Sequence, residues 1–204
     1  MTKEEQLSEL YERYVKDFKD MEIVLGDGNV NTDLVLVGEA PGKDEVRLSK
    51  PFVGAAGKNL AQFIDILGLK REEIFITNAI KYRLSKVNPD TGKLINRPAT
   101  RDEISAARDY LLQELIIIDP YYIVTLGNVP LKAVTGDYDI SIGTVHGQVS
   151  DLTIGEKTYK LFPLYHPASI IYNRSLKEVY LDDIRKLSLL IRDKHNDFVM
   201  NYET

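Results

Sequence analysis

The chain has 204 residues, 44% of them hydrophobic and 28% charged. That is enough apolar material for one packed core, and the complete lack of cysteine excludes disulfides, thiolate metal sites, cysteine nucleophiles and cysteine-held iron–sulfur clusters. The net charge of −5 argues against a surface that coats nucleic acid but leaves room for a local basic groove. No apolar run approaches the roughly 20 residues needed to span a bilayer, and the charged N-terminus MTKEEQLSELYERYVKDF has the pattern of neither a signal nor a transit peptide. A cytoplasmic monomer without membrane contact is expected, built as a single domain over residues 1–204.

Residues 3–20 read as an amphipathic helix, with Leu7, Leu10, Tyr11, Tyr14, Val15 and Phe18 at helical spacing. After the turn cluster Gly26-Asp27-Gly28-Asn29, the run Leu34 to Val37 is short and apolar, as in a strand buried on both faces. Gly38-Glu39-Ala40-Pro41-Gly42 then turns the chain. A turn at the carboxyl end of a buried strand is where open α/β sheets hold ligands, and this one carries Glu39, with Asp44, Glu45 and Phe52 behind it. A helix over Leu60 to Leu69 closes near Gly68, and Ile74 to Ile80 is a second buried strand, interrupted by Thr77 and Asn78.

The two prolines and the Asp-Thr-Gly turn within residues 84–100 predict a long loop. Thr100 and Glu103 form a capping-box signature for a helix over 101–116. Tyr121 to Leu126 is a third strand, Val129 to Val134 a short helix, and 140–162 a hairpin of shorter strands. Leu161 to Leu164 is a further strand that delivers Tyr165-His166-Pro167, and a helix over 176–194 closes the chain. Strands alternating with helices predict an α/β fold, a three-layer α/β/α sandwich around a central, mainly parallel sheet.

Several strands end in a polar residue able to reach one crevice: Glu39, Asn78, Asn128 and His166. Alone, each has a plain structural reading, since Asn caps turns and Phe52 suits a core. Together they suit a planar heterocycle, which needs an aromatic face, an amide for its donor–acceptor edge and a polar group at its other carbonyl. Phe52, Asn78 and His166 are those types, and Glu39 or Glu45 suits water or an oxocarbenium-like centre beside them.

Gly-Glu-Ala-Pro-Gly at 38–42, Pro-Phe-Val-Gly at 51–54, Thr-Asn-Ala at 77–79, Leu-Gly at 126–127 and His-Pro-Ala at 166–168 occur in order. With Gly26-Asp27-Gly28-Asn29 and Asn96-Arg97-Pro98, they make the chain resemble the family 4 uracil-DNA glycosylases over about residues 4–192. The resemblance implies hydrolysis of the N-glycosidic bond of a deoxyuridine flipped out of single- or double-stranded DNA. It implies that Phe52 stacks on uracil, Ala40 offers it backbone contact, Asn78 reads its polar edge and His166 stabilises the anionic leaving group. Glu39 and Glu45 divide the water-handling role. Ile170 and Ile171 stand where a wedge enters the duplex, and Asn173, Arg174 and Arg97 lie near DNA. Lys43, Arg47, Lys50, Lys58, Lys81, Arg83, Arg97, Arg101 and Arg174 offset the acidic balance only where several share one face.

One departure stands out. The family holds a [4Fe–4S] cluster on four cysteines, and this chain carries Tyr11, Tyr14, Tyr82 and Ala106 at the matching places. No cofactor is expected, with tyrosine rings filling the cluster's volume. A related branch carries a histidine that cross-links to abasic DNA where this chain has Asn96; an amide is a poor nucleophile, so ordinary turnover is expected. A catalytically silent member that binds uracil-containing or damaged DNA is the alternative, and a nucleotide hydrolase lacks any phosphate-loop signature.

Overall fold

The computed structural model describes residues 1–169, 173 and 175–200, with the side chains of 55, 56 and 195–200 left out of the description. Helix α1 (Lys3–Asp17) starts from a capping box in which Thr2 accepts from Glu5 N and the Glu5 carboxylate accepts from Thr2 N. It ends short of the expected residue 20 because Phe18 leaves helical geometry, its ring lying 4.5 Å from Tyr14 and 5.1 Å from Tyr82.

Strand β1 (Asp27–Gly28) precedes β2 (Leu34–Gly38), whose five residues are all buried, as an aliphatic run between two helical layers requires. Short α2 (Lys43–Leu48) and α3 (Ala55–Leu67) follow, α3 closing on Gly68 in the left-handed region. A 3₁₀ turn (Arg71–Glu73) leads into β3 (Phe75–Asn78). Residues 84–100 are a correction: they contain an antiparallel hairpin, β4 (Ser85–Val87) paired with β5 (Leu94–Asn96). Its apolar residues Val87 and Leu94 are exposed, so burial periodicity does not mark it.

The Thr100–Glu103 box does start α4 (Arg101–Ile118). Strand β6 (Tyr122–Leu126) and α5 (Asn128–Thr135) follow, then a turn of helix α6 (Ile142–Val145). In the segment expected as a hairpin of short strands, β7 (Ser150–Ile154) pairs antiparallel with β8 (Lys157–Leu164). The expected strand over Leu161 to Leu164 is the end of β8 itself. Helix α7 (Leu176–Met200) closes the described chain.

The sheet runs β1-β3-β2-β6-β8-β7, with β3, β2, β6 and β8 parallel and antiparallel strands at both edges. One core cluster takes side chains from α1, α4 and α5, and the other from α3 and α7. Helices therefore cover both faces, giving the α/β/α layers expected. From β2 the chain steps to β3 on one side and later to β6 on the other, so the carboxyl ends of these strands form a switch-point crevice. Among the described residues, no helix is long and apolar enough to cross a membrane.

Candidate active site

The crevice has two adjoining lobes that share Ala40, Pro41, Asn96 and His166. One, of about 370 Å³, is also lined by Glu45, Phe52 and Asn78. The other, of about 350 Å³, is also lined by Glu39, Leu84, Arg97 and Pro98. Glu39, Ala40, Phe52, Asn78 and His166 thus converge, although up to 127 positions separate them in the chain.

Backbone hydrogen bonds set the frame. Ala79 N donates to Gly38 O at 2.8 Å and Ile80 N to Glu39 O at 3.0 Å, so the turn after β2 and the end of β3 move as one piece. Gly38 is required there, because a Cβ on it would lie 2.4 Å from Asn78 Oδ1 and 2.5 Å from the Phe52 ring. The Asn78 residue is 3% exposed, and among the described residues no protein group bonds its side-chain amide. An amide without a protein partner at a cavity wall is open to a ligand's donor and acceptor.

Phe52 sits at φ 52°, a conformation that bulky residues adopt only under constraint. Gly57 allows it, since a Cβ there would come within 2.2 Å of Phe52 O. Arg71 Nη2, at 2.6 Å from Pro51 O, holds the preceding residue. The Phe52 ring then lies 6.1 Å from that of His166, tilted by 31°.

His166 Nδ1 accepts from Ala168 N at 3.1 Å. That bond requires a lone pair on Nδ1, which puts the ring proton on Nε2. Burial lowers the His166 pKa from its ordinary value, favouring the neutral ring. Asn59 Nδ2 ties α3 to this turn by donating to Pro167 O at 3.0 Å. Burial raises the Glu39 pKa, opposed by Ala99 N, which donates to Glu39 Oε1 at 3.4 Å.

Glu45 is used differently. Its Oε1 accepts from Val53 N and Gly54 N at 3.2 and 2.8 Å, and its Oε2 from Gly42 N at 3.1 Å, so the carboxylate braces the loop that carries Phe52. Asn128 stays outside the crevice, its Oδ1 accepting from Ile142 N at 2.8 Å. Arg97 lines the Glu39 lobe while both its terminal nitrogens bond Glu103, at 2.9 and 2.6 Å. The Asn173 Oδ1 accepts from Ser175 N and Oγ at the start of α7. Ile170, Ile171 and Arg174 lie outside the described residues.

The basic residues do not form one free face. Lys81 is buried against Glu114, and Arg47, Lys50, Arg83 and Arg97 each contact a carboxylate. Arg101 lies over the Tyr138 ring. Of the basic residues singled out from the sequence that lie among the described residues, Lys43, Lys58 and Arg101 make no ion pair, and Lys43 lines the Phe52 lobe. Sequence reasoning undervalued Asn96, which lines both lobes and whose Oδ1 accepts from Arg83 Nε at 3.3 Å. The Asp90-Thr91-Gly92 turn between the two short strands is the signal that could have found it.

At the cluster positions, Tyr14 is fully buried and packs edge-on to Tyr110 at 5.0 Å and against Phe18, which stacks in turn on Tyr82. Its hydroxyl accepts from Lys81 N at 2.9 Å, and the half-buried Tyr11 hydroxyl bonds Glu114. Ala106 is exposed on α4 and the next residue, Ala107, is fully buried, so the interior position of that helix is Ala107. Packed tyrosine rings offer no thiolates, and the residues present do not fit an iron–sulfur cluster held by cysteines. Among the described residues, no group of three or more His, Cys, Asp or Glu side chains could hold a metal ion.

Comparison with known proteins agrees with this geometry. The family model described as "Uracil DNA glycosylase superfamily" matches residues 25–186. The chain is similar to a protein named type-4 uracil-DNA glycosylase from Archaeoglobus fulgidus, with 37% identity over 84% of this chain and 83% of that protein. Proteins of the same name are 40% identical in Sulfurisphaera tokodaii, over 80% of this chain and 72% of that protein, and 35% identical in Thermotoga maritima, over 83% of each.

Proposed function

The chain belongs to the uracil DNA glycosylase superfamily, and we propose that it hydrolyses the N-glycosidic bond of deoxyuridine in DNA, releasing uracil and leaving an abasic site. The Asn78 amide carries this reading, because among the described residues no protein group bonds it and it opens onto the lobe beside Phe52 and His166. The relatives' names support the substrate: the proteins from Archaeoglobus fulgidus, Sulfurisphaera tokodaii and Thermotoga maritima are called type-4 uracil-DNA glycosylases.

In this mechanism a flipped uracil enters the Phe52 lobe. Phe52 offers its ring face, Ala40 its backbone, and Asn78 an amide that pairs with the carbonyl and imide edge. As the bond between C1′ and N1 breaks, its electron pair leaves with uracil. The His166 Nε2–H donates a hydrogen bond to the carbonyl oxygen where that charge collects. A neutral imidazole is suited to this, since it stabilises the anion without first giving up a proton. Glu39, as a carboxylate, stabilises the oxocarbenium-like sugar and accepts a proton from the water that adds to C1′. Glu45 braces the Phe52 loop through three backbone N–H groups, so the water-handling role goes to Glu39.

DNA is held in single- or double-stranded form by a monomer acting in the cytoplasm, with Arg97, Asn173 and Arg174 near phosphate and Ile170 and Ile171 as the wedge. The fold works without an iron–sulfur cluster, its place taken by Tyr11, Tyr14 and Tyr82. Iron analysis and a visible absorption scan of pure protein return no stoichiometric iron on this reading; stoichiometric iron defeats it.

An oligonucleotide with one deoxyuridine, incubated with excess protein and then treated with alkali, breaks at that position if the proposal holds. No break with retained binding points instead to a silent member that binds uracil-containing DNA.

A further inference from the structure

Beside the candidate active site lies a buried charge pair that the chemistry above does not use. Lys81 and Glu114 have side chains 1% and 0% exposed, with Nζ 2.8 Å from Oε2. Such pairs contribute little net stability, because desolvation cancels most of the attraction, and apolar replacements are often as stable. This pair does reach a functional strand. Lys81 Nζ also donates to Asn78 O at 3.1 Å, and Glu114 Oε1 accepts from Thr77 Oγ1 at 3.2 Å. Tyr11 bonds the same carboxylate, and Tyr14 bonds the backbone of Lys81.

We propose that Lys81 and Glu114 are positioning residues for Asn78. Glu114, on α4, fixes the Lys81 ammonium, which clamps the backbone carbonyl of Asn78 and sets the direction of the amide beyond it. The Asn78 amide has no protein partner of its own among the described residues, so its aim is set by its backbone. A recognition group that must be held within roughly 0.5 Å needs such support. What Asn78 reads rests on the glycosylase proposal, whereas the clamp does not.

The test compares two double variants. Lys81→Met with Glu114→Leu removes both charges at similar volume. It is expected to stay folded with a lowered Tm, because Tyr11 and Thr77 lose their acceptor, to cut the single-turnover rate on uracil-containing DNA roughly 10²-fold, and to shift and broaden the NMR signal of the Asn78 side-chain amide. Lys81→Gln with Glu114→Gln retains a donor for Asn78 O and is expected to recover most of the rate. If the Met/Leu protein does not fold, Lys81→Met with Glu114→Gln differs from the Gln/Gln protein only in lacking that donor and is read against it in the same way. A wild-type rate with an unchanged Asn78 signal overturns the proposal. If the wild-type protein itself removes no uracil, the glycosylase reading falls and the Asn78 signal alone decides the clamp: unchanged overturns it, shifted supports it.

Discussion

Asn78 and Lys81 are three residues apart and almost equally buried, at 3% and 1% exposure, yet their surroundings are opposite. The Lys81 ammonium meets a carboxylate and a carbonyl, and its neighbours Tyr11 and Tyr14 are bonded as well. The Asn78 amide faces a cavity with an aromatic ring and an imidazole, and among the described residues nothing bonds it. Satisfied polar groups in a core hold a structure together, and a buried group lacking a partner costs free energy unless a ligand supplies one. Burial alone therefore does not separate scaffold from site, nor does a missing partner, since among the described residues the Thr125, Tyr159 and Tyr180 hydroxyls are also buried without one; an unpaired amide that opens onto a cavity does.

That contrast predicts lost chemistry from changes at the crevice and lost stability from changes to the aromatic packing beneath it, with the Lys81–Glu114 pair linking the two. Asn78→Asp puts an acceptor where a ring carbonyl needs a donor, and we expect a loss of roughly 10³–10⁴-fold in uracil excision with little change in Tm. Tyr14→Ala, on the scaffold side, removes a fully buried ring. It should cost about 3–5 kcal/mol in urea unfolding and leave DNA affinity unchanged. His166→Ala should slow excision roughly 10²–10³-fold by removing the donor to the leaving group; a near-wild-type rate would contradict that role.

Glu39→Gln is expected to cost about 10²-fold near neutral pH and to reshape the pH profile. Burial raises the Glu39 pKa above 4.5, and the working form is the carboxylate, so wild-type activity is lost as pH falls through that raised value. Burial lowers the His166 pKa below 6.5, so the neutral ring persists above that lowered value and acid charges it. Both groups fail on the acid side. In the Gln variant only the His166 limb remains, and a wild-type rate near neutral pH would exclude Glu39 as the base.

Much of the fold is legible in the sequence where burial is complete. The runs at Leu34–Gly38 and Tyr122–Leu126 are apolar on both faces, and Thr100 with Glu103 marks a helix start by hydrogen bonding alone. The hairpin at Ser85–Asn96 is not, because its apolar side chains face solvent. Among the residues lining the crevice, the convergence of Glu39, Asn78 and His166 is legible because each follows or ends a parallel strand at the same end of the sheet. The separate duties of Glu39 and Glu45 are not. Both are acidic residues on one short segment, and only the three backbone donors around Glu45 tell them apart. The Lys81–Glu114 pair is hidden for a different reason, since its partners are 33 positions apart in the chain and only the fold brings them together. The left-handed backbone of Phe52 depends likewise on Gly57, five positions on.

The central claim is that this crevice removes uracil. Mass-spectrometric detection of free base from DNA containing a single deoxyuridine, at protein excess, tests it most directly. The account predicts one uracil released per strand, with the phosphate backbone intact until alkali is added, and none released by the Asn78→Asp protein under the same brief incubation. Absence of free uracil with the wild-type protein, or equal release by both proteins, would contradict it.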